Sequence, residues 1–235
     1  MSDATVPHRT AEPVPDPGGG RDRRSRWPLL GAAVGIGGMV ATVVFDVRPQ
    51  PPDSVVMTTP GLLESVDRVA AHAGFVTGFL TVAGLLVLAA AWRRRVEPRA
   101  PSSTAARVVS AGLTASAAAL TLGYGWKGAL GAYLPGGLES TAFDLPGMYV
   151  YLMLNDFGGY IGWLGVVVAA GGVAWMGLRE RLVSRWIGAV SLVPVLVTTA
   201  MAVGMSLAGS PAIAGPIWMV VAFAGLAFGR STIAR

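Results

Sequence analysis

The sequence predicts an all-α protein: a bundle of six transmembrane helices with the N- and C-termini in the cytoplasm. Three observations carry this expectation. Six apolar stretches each approach the ~20 residues needed to cross a ~30 Å hydrocarbon layer. The chain of 235 residues is 53% hydrophobic and only 13% charged, with a mean hydropathy of +0.57, whereas soluble domains carry about 25% charged residues. The basic residues gather between the apolar stretches on one side. None of the stretches alternates with the period of two that a transmembrane barrel strand requires.

Residues 1–26 precede the first stretch. They hold Pro13, Pro15, Pro17 and Gly18-Gly19-Gly20, and end in Arg21-Asp22-Arg23-Arg24-Ser25-Arg26. Such a segment has too little apolar surface to order itself, so a disordered cytoplasmic tail is expected. Arg23-Arg24 ahead of an apolar run suggests a twin-arginine export signal. No small-residue cleavage site follows Phe45 and five more apolar segments do, so a retained signal-anchor helix is the better reading.

One transmembrane domain is expected over 27–230, with helices at about 27–46, 69–92, 107–126, 149–178, 186–207 and 211–229, then a cytoplasmic end, 231–235. The first helix carries Gly31, Gly35, Gly37 and Gly38, a small-residue face suited to close packing. Before the second, Thr59-Pro60 offers a cap and a first-turn proline. A helix from there to Arg93 would outrun the bilayer at about 1.5 Å per residue, with Glu64 and Arg68 paired at i, i+4. The third helix is rich in hydroxyls (Ser110, Thr114, Ser116, Thr121) and closes on Gly123-Tyr124-Gly125-Trp126-Lys127-Gly128. This string fits the dinucleotide pattern G-x-G-x-x-G, but it follows no strand and opens no helix, so the match is rejected. An outer loop, 126–148, ends at Asp144, which is expected to cap the fourth helix. Pro194 is expected to kink the fifth helix. The sixth begins near Pro211 and Pro216.

Orientation follows from charge. With the N-terminus inside, 15 of the 18 Lys and Arg lie in cytoplasmic segments, leaving Arg48, Arg68 and Lys127 outside. This asymmetry predicts N-in, C-in by the positive-inside rule. The expected location is the plasma (cell) membrane, with the lipid bilayer as the principal partner. Nucleic acid is not expected as a partner despite a net charge of +5, because the basic residues form short clusters between apolar segments.

Composition also excludes chemistry. With no cysteine, disulfides, thiolate nucleophiles, iron–sulfur clusters and cysteine zinc sites are ruled out. Of the two histidines, His8 lies in the tail, which leaves His72 alone in the helical region and excludes bis-histidine haem. No cofactor, metal site or catalytic residue is assigned. No Ser/His/Asp arrangement, carboxylate pair or phosphate loop is recognisable.

The best clue to a site is Asn155-Asp156 within the fourth apolar run, since polar groups there are costly unless paired or hydrated. Counting ~20 residues from each cytoplasmic arginine boundary brings Asp46, His72, Lys127, Asn155 and Asp156 to one depth near the outer face, with Arg48 and Arg68 just above. The plain reading is that the hydrocarbon ends there. The sharper one is an outward-facing polar cluster. In it Asp156 is the main ligand or proton acceptor, His72 and Lys127 are its charge partners, and Asn155 is an orienting group. His72 can titrate near neutral pH. The aromatics Tyr149, Tyr151, Tyr160 and Trp163 are expected as interfacial anchors ahead of pocket walls.

The strings Gly-Tyr-Gly-Trp-Lys-Gly-Ala-Leu-Gly-Ala-Tyr-Leu-Pro-Gly-Gly (123–137) and Leu-Asn-Asp-Phe-Gly-Gly-Tyr-Ile-Gly-Trp (154–163) resemble those of small polytopic membrane proteins of high-GC actinobacteria, a group with no assigned activity. The resemblance implies a six-helix membrane protein and transfers no functional residue.

The leading expectation is a non-enzymatic integral membrane protein that binds, senses or passes a small solute or proton at an outward-opening polar site. One alternative is a membrane enzyme acting on a lipid or isoprenoid, with Asp156 or Asp46 as general acid. Another is a structural subunit whose glycine faces on the first and sixth helices bind a membrane-protein partner.

Overall fold

The computed structural model describes residues 26–48, 63 and 65–229, and all regular structure among them is helical. Helix α1, Leu29–Met39, continues into a π-helical turn, Val40–Val44. Then come α2, Arg68–Arg95, a 3₁₀ turn, Glu97–Arg99, and α3, Thr104–Tyr133. The rest of the chain forms α4, Leu145–Ile161, α5, Leu164–Leu178, α6, Arg185–Met205, and α7, Pro211–Phe228. Among the described residues five helical spans are long and apolar enough to cross a membrane, α4 and α5 together making one of them, and Leu29–Val44 is a shorter apolar helix. All six expected segments are therefore helical, in the architecture of a multi-pass membrane bundle. The tail up to residue 25, the loop with Thr59-Pro60, Glu64, and residues 230–235 lie outside the described residues.

Several boundaries differ from expectation for visible reasons. Helix α2 starts at Arg68, where the Asp67 carboxylate accepts the Val69 and Ala70 N–H groups at 2.8 and 3.2 Å, a side-chain N-cap. Helix α3 runs past Trp126 to Tyr133, because Lys127 is a buried helical residue and not the start of a loop. Asp144 caps α4 as expected, accepting the Gly147 N–H at 2.9 Å, with Pro146 in the first turn. The fourth segment is not one helix, since it breaks at Gly162–Trp163. At the break the Val166 N–H, near the new helix start where amides lose their intrahelical partners, is shared between the Trp163 carbonyl at 3.0 Å and Ser116 Oγ on α3 at 2.8 Å. Helix α6 continues through Pro194 and ends at Ser206 in the left-handed region, a common helix stop.

The largest interfaces are α2 with α3, α3 with α5, α1 with α7 and α5 with α6. Three glycine pairs allow backbone contact: Gly112 with Gly165, Gly123 with Gly158, and Gly177 with Gly188, where a β-carbon would strike the opposing main chain. Lipid is as apolar as leucine, so this close packing, and not burial from water, holds the helices together. On α1, Gly31 packs on Phe223, Gly35 on Pro216 and Met219, and Gly38 on Trp163; on α7, Gly225 packs on Trp186. These glycine faces, expected to be available to a partner protein, are thus filled by the chain itself. The G-x-G-x-x-G string lies inside α3, where Gly123 meets Gly158 and Gly128 meets Phe75.

At the end of the bundle where α2 leads into α3, the Trp92 indole donates to the Ala106 carbonyl at 2.9 Å, and Glu97 and Glu180 accept from Ser110 and Ser103 at 2.5 and 2.6 Å. These bonds tie together the turn between α2 and α3, the first turns of α3 and the residues just after α5. The other end of α3 carries the residues singled out above.

Candidate binding site at the broken end of α1

The C-terminus of a helix leaves carbonyls without intrahelical partners and carries partial negative charge. Here the end of α1 loosens into a π turn, closed by a bond from Phe45 N–H to the Val40 carbonyl at 2.9 Å. Lys127, reaching across from α3, donates from Nζ to the freed Ala41 and Phe45 carbonyls at 2.8 and 2.7 Å. It is 3% exposed. Gly74 on α2 makes room for it, since a β-carbon there would meet the Lys127 stem and Phe45. Asp46 follows directly on Phe45, whose carbonyl this ammonium binds.

A second group of bonds steadies the same turn. Thr42 Oγ1 shares a hydrogen bond with the Tyr124 hydroxyl at 2.8 Å and accepts the Trp163 indole N–H at 3.3 Å. Tyr124 fits because Gly78 leaves α2 open against its ring. A buried Tyr or Trp needs a partner for its polar atom, and Thr42 serves both.

Beyond the π turn the chain extends outward through Asp46, Val47 and Arg48. Tyr160 on α4 donates its hydroxyl to Asp46 Oδ2 at 2.8 Å. Arg48 Nε lies 2.9 Å from Asp46 Oδ2 and 3.6 Å from Asp156 Oδ1, and the guanidinium carbon sits 5.1 Å from the centre of the Tyr160 ring. The Arg48 and Asp156 side chains are 58% and 46% exposed, so the cluster opens to the surroundings. Asn155 is 3% exposed. It reaches the same stretch from the buried side, with Nδ2 in a long contact of 3.5 Å to the Val47 carbonyl and Oδ1 without a partner.

Four of the five residues singled out from the sequence, Asp46, Lys127, Asn155 and Asp156, therefore surround the segment 41–48. Asp156 pairs with Arg48 and not with Lys127, whose donors go to main-chain carbonyls. His72 stands apart. It is exposed and lines a shallow recess of ≈ 320 Å³ with Arg68, Phe75, Gly128, Gly131, Ala132 and Leu138. It stands two positions before Gly74, which turns it about 200° around α2 from the face that meets Lys127.

Sequence reasoning missed Arg48, Tyr160, Thr42 and Tyr124 as members of this group. Arg48 carried a usable signal, one of three basic residues on the outer side. Thr42 is a hydroxyl in an otherwise apolar turn, and Tyr124 stands between two glycines. Tyr160 and Trp163, expected as interfacial anchors, instead bind Asp46 and Thr42, while Tyr151 joins Tyr133 and Phe143 in a ring cluster with centroids 4.7 to 5.7 Å apart. Among the described residues no group of three His, Cys, Asp or Glu is placed to hold a metal ion. No protein-family model, curated protein or solved structure matches this chain.

Proposed function

We propose that this chain is a multi-pass protein of the plasma membrane, with both termini cytoplasmic, that binds a small solute or proton at its outer polar cluster. The observation that carries this reading is the continuity of the cluster. Lys127, the one buried charged side chain among the described residues, holds the broken end of α1. That same segment, a few residues on, presents Asp46 and Arg48 to the exposed Asp156. Occupancy at the open end would therefore pull on a helix terminus held by a few polar bonds, as sensing or transport requires. Broken helices whose carbonyls meet cations are a recurrent way of building such sites.

A further fact supports the reading. Asp156 is open and paired with a cation, which supports binding over the membrane-enzyme alternative, whose general acid would need an enclosed pocket. No observation favours the structural-subunit reading, because the glycine faces it relied on are filled internally.

The test is a thermal-shift screen of the purified full chain. Its panel covers small amines, amino acids, sugars and organic anions, and its buffers span about pH 5 to pH 9, the range in which histidine and perturbed groups titrate. At least one solute or pH step should move the unfolding midpoint, and Asp156→Asn should remove that response. A flat response throughout, in wild type and variant alike, would overturn the proposal.

A further inference from the structure

The outer cluster has more hydrogen-bond acceptors than donors. Asp46 and Asp156 bring four carboxylate oxygens, and the buried Asn155 carboxamide adds an Oδ1 with no partner. Against these, among the described residues, stand the Tyr160 hydroxyl and Arg48, whose ion pairs with both carboxylates run through Nε. A guanidinium that belonged permanently in a carboxylate site would present its fork in a two-point pairing. Arg48 instead meets them through Nε, more than half exposed, with its guanidinium carbon over the Tyr160 ring.

The other nearby cation does not relieve the surplus. Lys127 directs its ammonium at the Ala41 and Phe45 carbonyls. Without Arg48, the two carboxylates and the aromatic face that it touches would be left open, with the unpartnered carboxamide oxygen of Asn155 on the residue next to Asp156, a set that suits a positive group rich in N–H.

Resting on the solute-site reading above, we propose that the solute is a small organic cation bearing several N–H donors, a guanidinium or primary ammonium, and that Arg48 is its tethered stand-in. The incoming cation displaces the Arg48 side chain, pairs with Asp46 and Asp156, and stacks on Tyr160. The site is thereby self-inhibited until ligand competes successfully.

The experiment uses the full chain in detergent or nanodiscs, with methylguanidinium and ethylammonium as probes read by calorimetry and thermal shift. Tetramethylammonium is included as a cation without N–H groups, and acetate and glycine as an anion and a zwitterion. Arg48→Ala should bind methylguanidinium about tenfold or more tightly than wild type, since the internal competitor is gone, and Arg48→Gln should do the same if the alanine variant folds poorly. Adding Asp156→Asn to either should take the affinity back down by about tenfold, and tetramethylammonium should bind far more weakly than methylguanidinium. The inference is overturned if removing Arg48 gains no affinity, or if tetramethylammonium matches methylguanidinium. Binding of acetate or glycine without the cations would overturn the cation class alone and leave the solute site standing. Silence from every probe in every variant would overturn the cation inference, and the solute-site reading falls with it only if the wider solute panel and pH series are flat as well.

Discussion

Two side chains beside the broken end of α1 have opposite energetics. The Lys127 ammonium makes two charge-assisted bonds to the Ala41 and Phe45 carbonyls, and bonds to charged groups are worth about 1.5–3 kcal/mol each. Desolvating the charge offsets much of that gain. The balance favours the lysine, because without it two carbonyls at a helix end lose their partner. Lys127→Met should therefore lower stability by about 2 kcal/mol, seen as a reduced unfolding midpoint in detergent. A rise in the midpoint would mean that desolvation dominates. Asn155 is the reverse case. Its Oδ1 is buried without a partner and its Nδ2 contact is long, so its carboxamide adds little to stability in the unliganded protein. The near-isosteric Asn155→Leu should stay within about 0.5 kcal/mol of wild type or stabilise it, since removing an unsatisfied acceptor costs nothing. A loss above about 1 kcal/mol would mean that the oxygen has a partner after all.

At the scale of the helices, contact between main chains sets the geometry. Gly123 on α3 faces the backbone at Gly158–Gly159 on α4, whereas a β-carbon on Gly125, on the same helix, would meet nothing within 4 Å. Gly123→Ala should thus push α3 from α4 and cost about 1–3 kcal/mol. Gly125→Ala should be neutral or gain up to about 1 kcal/mol from helix propensity. The measurement is the pair of unfolding midpoints, and equal values for the two variants would contradict the packing described. The same separation carries Tyr160 and Asp156 away from the site, so Gly123→Ala should also weaken any response to solutes more than Gly125→Ala does.

For the whole molecule, the open question of orientation has a clean measurement, because the chain has no cysteine of its own. Ser140 lies between α3 and α4 and Ser102 between α2 and α3, and both are exposed. With cytoplasmic termini, Ser140→Cys should react with a membrane-impermeant maleimide in intact cells and Ser102→Cys only after permeabilisation. The opposite pattern would invert the topology and place Asp46, Arg48 and Asp156 on the cytoplasmic side.

The all-helical class, the six apolar segments and the shared level of Asp46, Lys127, Asn155 and Asp156 were legible in the sequence. Each depends on run length and on where charge is allowed relative to an apolar layer, which are one-dimensional properties. Rotation about a helix axis is not, and it decided the site. Lys127 was visible as a charge at the end of an apolar run, but its choice of main-chain carbonyls over Asp156 depends on Gly74 clearing a path and on the π turn freeing acceptors. His72 lies in a separate recess, away from the other four. The break at Gly162–Trp163 escaped notice because glycine and tryptophan are both compatible with a continuous membrane helix, and the amide near it at Val166 is shared with Ser116, a residue of another helix. The sequence by itself determined the all-helical class and drew attention to its polar residues. Only the tertiary structure decided which of them meet, because that depends on the directions in which packed helices turn their side chains.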